Sequence, residues 1–175
     1  MIRHLLRLRV TINHRTPLFL AGVLCALLAV ASSSGQDADH RHGVEQRGDQ
    51  GMGFSHQKTT HHFTLMKDGG AIEVEADDPS DRQSRDAIRE HLNHIVMMFR
   101  SGDFDIPMFI HATTPPGVAV MKQRRERIAY DAQPTARGAE VRIQTSDRQA
   151  LRAIHDFLRF QIRDHHTGDP LNVRN

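Results

Sequence analysis

The sequence predicts an α+β fold: two ββα repeats forming one antiparallel sheet with two long helices on a single face. Three observations carry that expectation. Two stretches, Thr59 to Ala76 and Ile128 to Gln144, alternate apolar and polar side chains about turn signals. Each leads into a segment with a capping acid and an apolar stripe of 3.6-residue period. The chain also matches itself at an offset of 66 residues. Ser80-Asp81-Arg82-Gln83 recurs letter for letter as Ser146-Asp147-Arg148-Gln149, Ala87-Ile88 as Ala153-Ile154, Leu92 as Leu158 and Gly102-Asp103 as Gly168-Asp169.

Taken in order, Met1 to Ala31 reads as an export signal. Arg3, Arg7, Arg9 and Arg15 come without an acid, an apolar run from Pro17 to Val30 follows, and Ala29-Val30-Ala31 offers a cleavage site before Ser32. The run is too short for a typical membrane span, so no stable insertion is expected after cleavage. The whole chain carries 23 Lys and Arg against 21 Asp and Glu, a net +2. Without the four signal arginines the remainder has 19 against 21, a net −2. Its basicity is therefore no argument for a nucleic-acid partner. The single cysteine, Cys25, leaves with the signal, so the exported chain has no disulfide and must rest on its core. About 144 residues remain, enough for one domain. A periplasmic or secreted location follows.

Ser32 to Gly51 holds one aliphatic side chain larger than alanine, Val44, and is expected to be a disordered linker with His40 and His42 in solvent. The domain proper is expected over residues 52–170, with a polar tail at 171–175. Thr59 to Leu65 reads as a strand, Lys67-Asp68-Gly69-Gly70 as a turn, and Ala71 to Ala76 as the return strand. Asp78-Pro79-Ser80-Asp81 signals a helix start, and the helix is expected over 79–100 with Gly102 as its stop. Asp103 to Thr114 reads as an irregular loop, followed by a short helix, a second hairpin around residues 133–138, and a last helix over 147–166.

Chemistry concentrates between His91 and His111, where three histidines and three methionines fall close together. Ile88, Leu92, Ile95 and Phe99 form the core stripe of the first long helix. Beside it Ala87, His91, His94 and Met98 form a second stripe at spacings of three and four, which makes neighbours on a helix. At the offset of 66, His91 stands against Phe157 and His94 against Phe160, an exchange that a purely structural repeat does not need. Met108 and His111 in the following loop, and His61 or His62 from the hairpin, complete the candidate set. His61 and His62 are adjacent in a strand and must face opposite ways. His155 and His165 lie too far apart along one helix to serve one ion; His155 reads as a core-facing imidazole with local hydrogen bonds.

The segments Met52-Gly53-Phe54, Thr59-Thr60-His61-His62-Phe63, Gly102-Asp103-Phe104, Pro107-Met108, Pro115-Pro116-Gly117 and Phe157-Leu158-Arg159-Phe160-Gln161-Ile162 together resemble a group of small exported bacterial proteins of unknown activity. Some of these look-alikes carry the label aspartate carbamoyltransferase. The chain is less than half the length that activity implies and lacks the Ser-x-Arg-Thr-Arg signature.

Imidazole and thioether together suit copper, with thioether favouring Cu(I); imidazole alone also suits zinc, and a His/Met pair can hold a haem iron. The sequence thus points to an exported metal-binding or metal-handling protein, copper before zinc or haem. The alternative is a domain of the cell envelope that binds a small ligand or adapts a partner without metal. An enzyme built on the histidines with Asp103 and Asp105 ranks third, because no nucleophile stands out.

Overall fold

A computed structural model describes residues 36–174. The expected export signal lies outside the described residues. The chain divides into two compact units at Ala38; of the first, residues 36–38 are described and are helical, and the second runs from Asp39 onward.

The expected linker is instead a helix, α1, over residues 36–52. Its glycines oppose helix by about 1 kcal/mol each, so tertiary burial must hold it. Val44, Gly48 and Met52 recur every four residues on one face, and all three are buried. Arg47 Nε donates to the carbonyl of Ile110 at 2.8 Å.

Strands β1 (Thr59–Met66), β2 (Gly69–Ala76), β3 (Ile128–Pro134) and β4 (Gly138–Thr145) form one sheet in the order β1-β2-β4-β3. Every neighbouring pair is antiparallel, with Phe63 opposite Ile72, Ile72 opposite Val141 and Tyr130 opposite Ile143. Alternation sorts the faces: Phe63, Leu65, Ile72, Val74, Val141 and Ile143 are buried, while Thr60, His62, Ala129, Asp131 and Gln144 are exposed. The last residues cover the β1 edge, where Phe63 N–H donates to Asp169 and Arg174 N–H to the Leu65 carbonyl.

The long helices are α2 (Arg82–Ser101) and α5 (Arg148–Asp164). Asp81 caps α2 by accepting from Ser84 N–H, and Asp147 caps α5 by accepting from Gln149 and Ala150. The α2 cap lies three residues beyond the expected Asp78, because Asp78 is spent on a turn with Ser80. Gly102, at φ 83°, ends α2. Helix α2 lies against β3 and β4, and α5 against β1 and β2. Phe99 joins the two: it stacks on Phe104 at 4.3 Å and meets Phe157 edge-on at 6.0 Å.

Part of the expected loop after α2 is helical: α3 spans Asp105–His111. Pro107 hid it in the sequence, yet Pro107 sits in the first turn, where its missing N–H is no loss. A short α4 (Val118–Gln123) follows.

Gly117 precedes α4 at φ 87°, and a Cβ there would stand 2.1 Å from the Ala153 carbonyl oxygen of α5. Gly117→Ala is expected to lower stability by about 2–3 kcal/mol in urea denaturation. Gly53→Ala, at φ 78° with nothing within 4 Å, is expected to cost only about 1 kcal/mol. Equal losses would show that backbone conformation alone, and not the contact between α4 and α5, sets the requirement.

Candidate functional site

The site lies where α1, the N-terminal part of β1 and the C-terminal end of α5 meet. A vestibule of about 310 Å³ is bordered by Arg41, Glu45, His56, Thr60, His166 and Thr167 among others. Behind it lies a chamber of about 60 Å³ with apolar walls that include Phe63, Leu92, Ile95 and Phe99. Three residues border both spaces: Met52, His61 and His165. They form the throat between them.

Each has a local reason to be there. Met52 is the last buried position of the α1 stripe. His61 stands on the face of β1 that Phe63 and Leu65 bury, as strand alternation requires. His165 follows the last residue of α5 and is its C-cap. The rings of His61 and His165 are parallel within 5° at 5.5 Å, and Phe63 stacks on His165 at 5.6 Å. Phe54 meets His91 edge-on at 5.6 Å, and His91 faces the chamber.

A carboxylate braces this arrangement. Asp164 Oδ2 accepts from His111 Nδ1 at 2.5 Å, and its Oδ1 pairs with His40 Nε2 at 2.9 Å. His111 Nε2 contacts Gln161 Oε1 at 2.9 Å, and the His111 ring stands edge-on to both Phe160 and His165 at 4.9 Å. Burial pushes the Asp164 pKa up, but hydrogen bonds from His40 and His111 outweigh it and hold the carboxyl below its usual range.

The imidazoles of the cavity behave differently. Burial lowers His61 to about 4, helped by repulsion from His91, His62 and His56. Burial lowers His91 to about 4, with His94 adding to it. His165 falls to about 3, through burial first, then His61 and His111, with Asp164 opposing. All three are neutral at pH 7, and each has a nitrogen lone pair. Among the described residues none of their ring nitrogens has a hydrogen-bond partner, and the only sealed, unpartnered side-chain polar atoms are Tyr130 Oη and Gln161 Nε2. The imidazole nitrogens are thus unpartnered but open to the cavity.

The expected site residues separate in the fold. His61, His91 and His111 border the chamber, but His111 has both ring nitrogens engaged. His94 is exposed on α2 one turn from His91, and Met98 is half-buried against the core. Met108 is half-buried on α3. His62 is exposed on the opposite side of β1 and pairs with Asp169 at 3.1 Å. His155 Nε2 donates to the carbonyls of Met66 at 2.9 Å and Gly69 at 3.0 Å, so its partners lie in the distant turn between β1 and β2 and not nearby in the sequence as expected. His40, expected in solvent, binds Asp164. Sequence reasoning missed Met52, His165 and Asp164. The four-residue spacing of Val44, Gly48 and Met52 was the available signal for the first; nothing local signals the others.

No three His, Cys, Asp or Glu side chains among the described residues converge where an ion could sit. None of the described helices is long and apolar enough to cross a membrane. The chain matches no protein-family model, no curated protein and no solved structure.

Because the cavity imidazoles titrate lower when folded than in the unfolded chain, the unfolded state binds more protons between pH 6.5 and about 4. Stability must therefore fall as pH drops through that window, by about 3 kcal/mol for a group moved from 6.5 to 4. The shifts share mutual repulsion and do not simply add. Asp164, whose pKa is depressed, acts in the opposite range: its contribution persists to the usual carboxylate pKa and is lost only below it. Urea denaturation from pH 7 to 4 is expected to show this loss, and His61→Phe with His165→Phe to reduce it, leaving the part that belongs to His91. A wild-type curve that is flat over that window would contradict the neutral-imidazole assignment.

Proposed function

We propose that the protein is an exported metal-binding protein that holds a transition-metal ion, copper in preference to zinc, at the throat between vestibule and chamber. Met52, His61 and His165 are the ligands, with His91 behind them. The observation that carries this reading is the set of half-buried, neutral imidazoles whose ring nitrogens have no hydrogen-bond partner among the described residues. Imidazole nitrogens that face a cavity without a protein partner are free to bind whatever occupies it. Neutral imidazole is the form that coordinates a metal, and a thioether alongside it favours copper. Zinc in structural sites takes four ligands, and the throat offers three.

The competing reading is a domain that binds a small non-metal ligand. It is favoured by the lack, among the described residues, of three converging His, Cys, Asp or Glu side chains, and by the apolar chamber. Haem fits poorly, because a 60 Å³ chamber is far too small for it.

Elemental analysis and copper titration of untagged protein separate the two. Uptake near one equivalent is expected. His61→Phe and His165→Phe should each weaken it by about 100-fold or more, beyond the usual cost of losing only an outer partner. His62→Ala and His94→Ala should leave it unchanged. No uptake by the wild type would support the non-metal reading instead.

A further inference from the structure

The two hairpins pair in the same register. Thr59 lies opposite Ala76 and His61 opposite Val74 in the first, as Ile128 lies opposite Thr145 and Tyr130 opposite Ile143 in the second. Where β2 meets β4, the matched residues Ile72 and Val141 lie opposite each other. The long helices match from their capping residues Asp81 and Asp147 onward. His61 then stands where the other half has Tyr130, and His91 where it has Phe157. His165, at the end of α5, stands where α2 has Phe99. The three cavity imidazoles thus have three aromatic counterparts.

Those counterparts form a closed cluster. Phe99 meets Tyr130 edge-on at 5.6 Å and Phe157 edge-on at 6.0 Å, and all three are buried. A fourth ring completes it: Phe104, also buried, stacks on Phe99 at 4.3 Å and meets Phe157 edge-on at 6.1 Å. Phe104 follows the pair Gly102-Asp103 after α2. The matching pair after α5, Gly168-Asp169, is followed by Pro170, which is exposed. Phe54 packs on His61 and His91, and Phe63 and His111 pack on His165. Among the described residues no ring touches both His91 and His165 as Phe104 touches both Phe157 and Phe99. The chamber borders both imidazoles instead.

We propose that this gap takes a small ligand with one planar aromatic ring, which bridges His91 and His165 as Phe104 bridges Phe157 and Phe99. An apolar cavity of about 150 Å³ holds a benzene. The chamber, at about 60 Å³, takes the leading edge of such a ring, and the vestibule of about 310 Å³ takes the remainder. Apolar walls with a few polar groups are the usual make-up of a small-molecule site. Here the imidazole nitrogens serve a hydroxyl or amine on the ring, and Arg41, Glu45 and His166 border the space for further substituents. The ligand is separate from the metal ion proposed above and does not depend on it.

Phenol and cyclohexanol are the probes, alike in size and hydroxyl but not in planarity. Each is titrated into untagged, metal-free protein and followed by NMR of the imidazole C–H protons. Phenol is expected to bind with a dissociation constant on the order of 1 mM. It should bind about threefold to tenfold more tightly than cyclohexanol, the margin that pairing of rings adds to burial. The His91 and His165 signals should shift together, while those of His62 and His94 stay in place. His165→Ala removes one face of the gap and should weaken phenol by about tenfold, with circular dichroism checking that the variant is folded. Equal binding of the two alcohols would reveal an unselective apolar space and overturn the proposal. Phenol that shifts neither His91 nor His165, or a folded His165→Ala variant of wild-type affinity, would overturn it too. Copper uptake without phenol binding removes this inference alone, and phenol binding without copper uptake removes only the metal-binding reading.

Discussion

The carboxylate of Asp164 joins three helices. It sits at the end of α5, takes His111 of α3 on one oxygen and pairs with His40 of α1 on the other. A buried hydrogen bond to a charged group contributes about 1.5–3 kcal/mol, which applies to His111; the contact of the half-exposed His40 is screened by solvent and contributes less. The next residue is His165, so fixing Asp164 also fixes where that imidazole enters the cavity. The far end of α1 carries Met52, so the same bridge helps set the position of the thioether. A disulfide is not available to make this join, since Cys25 is the only cysteine. Polar contacts of this kind add to the burial of Val44, Met52 and Ile110 in the core.

The core itself follows simple rules. Strand alternation places apolar side chains on the face that α2 and α5 cover, and Phe99, Phe104 and Phe157 interlock between the helices. Against that apolar background the cavity histidines stand out energetically. Their ring nitrogens face the cavity without a partner among the described residues, and burial holds each pKa well below the ordinary imidazole value. His111 shows the alternative: a fully buried imidazole in the same fold with both nitrogens paired. The contrast between His111 and its neighbour His165 separates a structural imidazole from one left available.

Much of the fold was legible because its signals are local. Caps at Asp81 and Asp147, the stop at Gly102 and the alternation in β1 and β2 each depend on a few consecutive residues. Helix α1 was not legible, since it is held by burial of Val44 and Met52 in the core and by contacts of Arg47 and Gly51 with Ile110, more than fifty positions away, and glycine spacing reads locally as linker. Helix α3 was masked by Pro107. The site was half legible. His61 and His91 are recognisable from their faces, but His165 reaches His61 only because the sheet order places the end of α5 beside β1. A helical spacing of His91 and His94 marked the right neighbourhood, yet one turn of α2 was enough to carry His94 into solvent.

The central claim, that the unpartnered imidazoles and the thioether hold one metal ion at the throat, is tested most directly by anomalous diffraction from crystals grown with one equivalent of copper. The account predicts a single strong peak within bonding distance of Met52 Sδ and of ring nitrogens of His61 and His165. A throat without a peak, or copper found instead at exposed residues such as His42, His94 or Met97, would contradict it.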